Sequence, residues 1–176
     1  MPKRLIVELL NSCNFDCPMC RVGRYGVNFN RALPYSLFIT LLDQVNGQVR
    51  EIRLNGLGES TLLPDFVEYA KAVVERKMSL ELISNGSGSV EDYLFILQNH
   101  GILFISWDAA GKDLFERLRR PANFDTLVGK IKLLAKEANK MNVGSNFFLL
   151  FTLQPSNFLE LPKLVQSASE WGIQNI

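Results

Sequence analysis

All three cysteines of the 176-residue chain fall in one stretch of eight, Cys13-Asn14-Phe15-Asp16-Cys17-Pro18-Met19-Cys20, with the spacing C-x3-C-x2-C. Thiolates are soft ligands that suit zinc, copper(I) and iron–sulfur clusters. Three of them on one short loop make a tripod with one coordination position open, and an open position is the mark of a reactive centre. Cysteines that merely packed as small apolar residues would scatter through the chain. A structural zinc site asks for four protein ligands. The single histidine, His100, precedes Gly101 as an ordinary helix-end residue and has no ligand type beside it. A ferredoxin-type carrier asks for four cysteines per cluster in a C-x2-C-x2-C run, which this is not.

Four further segments carry groups that bind rather than pack. Asn55-Gly56-Leu57-Gly58-Glu59 combines a carboxylate with glycines that let a backbone approach closely, although such a glycine pair is also a common turn. Ser84-Asn85-Gly86 reads locally as a turn. Ser106-Trp107-Asp108 puts a hydroxyl and a carboxylate at alternate positions, so both point to one side of a strand, with helix N-capping as the other reading of Asp108. Leu118-Arg119-Arg120 offers two adjacent cations. Thr152, Gln154 and Asn157 form a weaker set, and Asn157 is equally a helix cap.

To gather these segments, the chain alternates short apolar runs with helical periodicity. Leu5 to Leu10 reads as a buried first strand that delivers the cysteine loop, and Val22 to Ala32 as an aperiodic loop. A helix from Pro34 places Phe38, Leu41, Leu42 and Val45 on one face and stops at Asn46-Gly47. Arg50 to Leu54 is the second strand, and the helix Pro64 to Lys77 turns Phe66, Ala70, Val73 and Val74 inward. Leu80 to Ile83 and Ile102 to Ser106 are the third and fourth strands, separated by a helix near Val90 to Asn99. A short helix at Lys112 to Leu118 and a longer one at about Asp125 to Lys140 follow, the latter setting Phe124, Leu127, Val128, Ile131 and Leu134 on one face. The fifth strand is Asn146 to Thr152, and the helix Phe158 to Trp171 sets Leu161, Leu164, Val165 and Ala168 in register. Strands buried on both faces and joined by helices imply a parallel sheet with right-handed crossovers. Ligands of such sheets bind beyond the carboxyl ends of the strands, where every segment singled out above lies.

The cysteine loop resembles that of the radical S-adenosylmethionine (radical SAM) enzymes, whose motif is C-x3-C-x-aromatic-C; Met19 stands at the aromatic position and fills similar space. The resemblance implies that Cys13, Cys17 and Cys20 ligate a [4Fe-4S] cluster whose fourth iron binds S-adenosylmethionine. Reductive cleavage then yields methionine and a 5'-deoxyadenosyl radical that abstracts hydrogen from a substrate. Asn55 to Glu59 resembles the family's Gly-Gly-Glu motif, with Leu57 at the second glycine, so Gly56, Gly58 and Glu59 would meet the cosubstrate's amino group. Ser84 and Asn85 resemble the element beside the ribose, and Ser106 and Asp108 the Ser-x-Asp segment beside ribose and carboxylate. Arg119 or Arg120 would pair with that carboxylate, and Arg119 is taken as the candidate. The pattern is most similar to the branch of molybdenum-cofactor cyclases and peptide-modifying maturases. An external one-electron donor of flavodoxin or ferredoxin type is implied, together with an unidentified small-molecule or peptide substrate. Two rivals remain: a partial or inactive cluster-binding fragment, and a plain iron–sulfur electron carrier that does not bind S-adenosylmethionine.

The fold expected is therefore α/β, one domain over residues 1–176: a partial (β/α)6 TIM-like barrel, with Gly172 to Ile176 entering a sixth strand, so that the chain is either truncated there or ends in a short edge strand. With 47% hydrophobic and 21% charged residues the chain fills one core. A net charge of +1 gives no bulk electrostatic signal for nucleic acid; Arg21, Arg24, Arg31, Arg119 and Arg120 either gather near one opening or, as most such residues do, stand as solvated surface charges. Lys3-Arg4 before Leu5-Ile6-Val7 is no signal peptide, because Glu8 interrupts the apolar run, and no run is long enough to span a bilayer. Thiolates kept for a cluster fit a reducing cytoplasm.

Overall fold

A computed structural model describes residues 2–26 and 29–176. Five strands, β1 Arg4–Val7, β2 Glu51–Leu54, β3 Ser79–Ser84, β4 Ile102–Ser106 and β5 Phe147–Leu150, form one parallel sheet in chain order. Between them run helices α1 Arg21–Tyr25, α2 Tyr35–Val45, α3 Phe66–Glu75, α4 Val90–Gln98, α5 Lys112–Leu118, α6 Phe124–Lys140 and α7 Leu161–Glu170. Register aligns Ile52 with Leu80, Leu54 with Leu82, Leu82 with Leu103 and Leu103 with Phe147. These side chains are no more than 1% exposed and make one continuous apolar face, on which α3 and α4 pack. Each such burial contributes roughly 1.5–3 kcal/mol. A parallel bridge joins Phe148 to Asn175, and the Leu149 N–H donates to the Asn175 carbonyl at 3.0 Å, so the chain's last residues begin a sixth strand beside β5. Parallel strands in sequence order with helices on one face make an open, partial β/α barrel.

The helices start where local chemistry starts them. Ser89 caps α4 by accepting from the Asp92 N–H at 3.0 Å, and Asn123 caps α6 through Thr126 at 2.9 Å. Leu127, Ile131, Leu134, Ala135 and Ala138 then form the buried stripe of α6.

Four expectations need correction. The sheet is not buried on both faces: its second face carries Arg4, Glu51, Arg53 and Glu81, joined by ion pairs, and above them the half-buried Ile83, Phe104 and Phe148. β1 is an edge strand with Ile6 56% exposed, and regular pairing stops at Val7 because Leu10 turns away to bridge Ala32 in antiparallel fashion. The stretch from Val22 is not all loop, since α1 occupies its start and ends at Gly26 in the left-handed conformation. Here Gly23 acts as a contact rather than a breaker, because a Cβ there would run into the Cys17 carbonyl. Val27 and Asn28 lie outside the described residues. Lastly, Val165 is 52% exposed, and only Leu164 and Ala168 of its helix are buried.

Candidate functional site

A cavity of about 320 Å³ opens at the carboxyl ends of the strands. Cys13, Cys17 and Cys20 line one wall, Gly56, Leu57, Gly58 and Glu59 another, and Ser84, Asn85, Ser106, Arg119 and Thr152 complete it. Segments from all five strand ends thus meet at one point. Asp108 is the exception among the candidates, since it does not reach the cavity wall.

The cysteine loop is fixed by its neighbours. The Glu59 N–H donates to the Ser12 carbonyl at 2.9 Å, and the Asp16 N–H to the Arg120 carbonyl at 2.5 Å. Gly58 lies so close to Leu10 and Ser12 that a Cβ would overlap their backbone. The glycine is required there by contact, not by an unusual torsion. The Phe15 N–H donates to Cys13 Sγ at 3.4 Å, and Asn85 Nδ2 meets the same sulfur at 3.6 Å. Burial pushes the Cys13 thiol above its ordinary value, and the Phe15 N–H opposes the shift. Burial also pushes Cys17 up to about 11, against the pull of the Arg119 charge. Both sulfurs are therefore held protonated until a positive group displaces the proton. Among the described residues no three His, Cys, Asp or Glu side chains meet where a single metal ion would bind them all. The sulfurs line a wall instead of closing on one ion.

Glu59 is 3% exposed and is the hub of the opposite wall. Its Oε1 accepts from Thr61 Oγ1 at 2.7 Å and Ser84 Oγ at 2.9 Å, and its Oε2 accepts from the Asn85 N–H at 2.6 Å. Burial raises its pKa, and these donors counter the rise. Glu59 thereby ties the end of β2 to the turn after β3, with one lone pair of Oε2 unused. Ser84 Oγ also pairs with Tyr93 Oη at 2.8 Å, and Tyr93 Oη accepts from the Gly88 N–H at 2.8 Å.

The two arginines divide. Arg119 lines the cavity, and its Nη2 lies 2.5 Å from Asp108 Oδ2. Its Nε is buried without a hydrogen-bond partner. Arg120 is outside and exposed, where it grips Asp16 at 3.3 Å. Asp108 caps no helix, because Gly111 holds the cap position of α5; its Oδ1 accepts from the Thr152 N–H at 2.8 Å. Nor does Asn157 cap through its side chain: Asn157 Nδ2 donates to the Asp108 and Thr152 carbonyls, both at 2.9 Å, and so ties the loops after β4 and β5 together.

Sequence reasoning missed several members of the site. Asn55 lines the cavity with a buried Oδ1 that has no partner. Thr61 and Tyr93 hold Glu59 and Ser84, and Lys130 holds the turn after β3. The signal for Lys130 is positional, because it sits three residues after Leu127 and one before Ile131, inside the apolar stripe of α6.

The chain is thus an open β/α barrel with a thiol-lined cavity at its strand ends. The Radical SAM superfamily model matches residues 7–165, and the chain belongs to that superfamily of enzymes. A tungsten-containing aldehyde ferredoxin oxidoreductase cofactor-modifying protein of Pyrococcus furiosus is 28% identical over 102 residues, covering 57% of this chain and 28% of the relative. SuiB of Streptococcus suis bound to S-adenosylmethionine has a similar fold, with a TM-score of 0.81 at 17% identity over 99% of this chain and 39% of SuiB. A radical SAM methyltransferase from Sphaerobacter thermophilus gives a TM-score of 0.60 at 13% identity, over 98% of this chain and 65% of its own. The chain thus spans well under half the length of the first two relatives. Among the described residues no helix is long and apolar enough to cross a membrane.

Proposed function

We propose that the chain is the core of a radical SAM enzyme in which Cys13, Cys17 and Cys20 hold a [4Fe-4S] cluster and the remaining cavity wall binds S-adenosylmethionine. The observation that carries this reading is the meeting of all three cysteines with Glu59, Asn85 and Arg119 around one cavity. The donor set suits the cluster: three soft sulfurs share one wall, beside a space wide enough for more than one ion. When bound and reduced, the cluster supplies the electron that divides S-adenosylmethionine into methionine and a 5'-deoxyadenosyl radical, which takes hydrogen from the substrate.

The chain's own residues bind, orient and exclude water. Gly56 and Gly58, whose lack of a Cβ lets this segment pack against Glu8 and Leu10, would bring their backbone to the cosubstrate's amino group, and the second lone pair of Glu59 Oε2 would accept from that ammonium. Arg119, steadied by Asp108, would turn its guanidinium to the carboxylate. Ser84 and Asn85 shape the ribose side with the Ser106 hydroxyl facing them, and Phe15, Met19 and Ile83 keep that wall apolar. The partners of this reading are a one-electron donor of flavodoxin or ferredoxin type, in the cytoplasm, and a small-molecule or peptide substrate. A SuiB structure bound to precursor peptide SuiA makes peptides the first class to test.

The experiment is electron paramagnetic resonance of anaerobically reconstituted, dithionite-reduced protein, with and without S-adenosylmethionine, and with Cys20→Ala as control. A four-iron signal that shifts on adding S-adenosylmethionine and is lost in the variant supports the reading. A signal indifferent to S-adenosylmethionine makes the chain an electron carrier.

A further inference from the structure

Lys130 Nζ lies 3.2 Å from the Gly86 carbonyl, 2.9 Å from that of Ser87 and 2.7 Å from that of Gly88. All three ammonium donors are spent on three successive carbonyls of one turn. Among the described residues no carboxylate forms an ion pair with Lys130, although the side chain is half-buried. Burial lowers its pKa, so holding the charge there has a cost that the turn must repay. Tyr93 and Glu59 hold N–H groups of the same turn, those of Gly88 and Asn85, so Lys130 completes the clamp on its carbonyl side.

The turn opens with Asn85, one residue past β3. Its Oδ1 accepts from the Ser87 N–H at 2.8 Å, which fixes the amide plane, and its Nδ2 then reaches Asn14 Oδ1 at 2.9 Å and Cys13 Sγ at 3.6 Å. An N–H aimed at a ligand sulfur stabilises the more negative, reduced form of a cluster and raises its potential. Groups that orient such donors tune the centre without touching it.

We infer that Lys130 is a positioning residue of the cofactor site, clamping the carbonyls of Gly86, Ser87 and Gly88 so that the Asn85 amide stays directed at the Cys13 sulfur. The inference rests on the reading of Cys13 as a cluster ligand. It gives α6, which contributes no group to the cavity wall, a part in setting the electron affinity of the centre.

The test compares wild type, Lys130→Met, Asn85→Ala and the double variant. The midpoint potential of each reconstituted protein is taken by redox titration followed by paramagnetic resonance, and hydrogen exchange of residues 85–88 is followed without the cluster. Lys130→Met should exchange faster across the turn and shift the midpoint to more negative potential, in the direction of Asn85→Ala. The double variant should move no further than Asn85→Ala alone, because both act through one amide. A wild-type midpoint in Lys130→Met, whatever its exchange or melting temperature, makes Lys130 a structural staple and overturns the inference. If Lys130→Met does not fold, Lys130→Gln, which keeps two donors, must give a smaller shift of the same sign; an unshifted midpoint overturns the inference equally. A wild-type protein that assembles no cluster overturns the cofactor reading itself and this inference with it.

Discussion

Arg119 and Asp108 are joined at 2.5 Å with the acid wholly buried and the base turned into the cavity. Asp108 therefore serves the site from behind: it holds a cation that faces Cys17 and, through the Thr152 N–H, pins the end of β5 to the end of β4. Asp108→Ala leaves a guanidinium buried without a counter-charge, and such a loss costs about 3–5 kcal/mol. Asp108→Asn, which keeps an acceptor for Thr152, should lose less. Urea denaturation of the two variants measures the difference; a loss under about 1 kcal/mol in Asp108→Ala would mean that water already screens Arg119.

In the metal-free protein Cys17 should react slowly with iodoacetamide. With its thiol pushed to about 11, only about a thousandth is thiolate at pH 8. The rate should climb about tenfold per pH unit until near that value, and Arg119→Gln should slow it further by removing the charge that favours the thiolate. Site-resolved mass spectrometry reads each cysteine separately. A Cys17 rate that levels off below pH 9 would contradict its burial.

Glu59 imposes a pH dependence on stability. Its folded pKa is raised above the ordinary 4.5 by burial, so between those two values the folded protein binds the extra proton. Stability from this group is fully present below about pH 4.5 and is lost as pH rises through the folded pKa. Glu59→Gln should remove that slope. Denaturation midpoints from pH 4 to 8 test the sign, and a wild-type contribution that grows with pH would reverse it.

Gly58→Ala should displace the cysteine loop. The added Cβ meets the Leu10 carbonyl and the Ser12 nitrogen, backbone atoms that cannot swing aside like a side-chain tip. Overpacking of this kind costs roughly 1–3 kcal/mol. The expected result is a lower melting temperature together with reduced iron content after reconstitution. Gly129→Ala, at a position with nothing within 4 Å, is the control and should leave both unchanged or stabilise α6 slightly.

The sheet and most helices were legible because their signals are local. β4 and α5 run over the residues that apolar periodicity marks, Ile102–Ser106 and Lys112–Leu118. The cysteines were legible because rare residue types at fixed spacing carry their own meaning. α1 was not, since Gly23 and Gly26 read as breakers while one is a close contact and the other a C-cap. The work of Asp108 and Asn157 was also hidden. Each looks like a cap in isolation, and their partners, Arg119 and Thr152 for Asp108 and the Asp108 and Thr152 carbonyls for Asn157, are fixed only by the fold. Lys130 left a trace in the helical pattern, but nothing in the sequence states that three carbonyls await it.

Because the strands lie side by side in the order of the chain, each unit docks on the one synthesised just before it. Cys13, Cys17 and Cys20 consequently emerge from the ribosome before Arg119 and Thr152, which close the cavity around them. Nascent chains thus display bare thiols with no shelter. On the reading proposed above, loading of an oxygen-sensitive cluster would wait until Arg119 and Thr152 have joined the wall, which makes maturation a later event than synthesis of the cysteine loop.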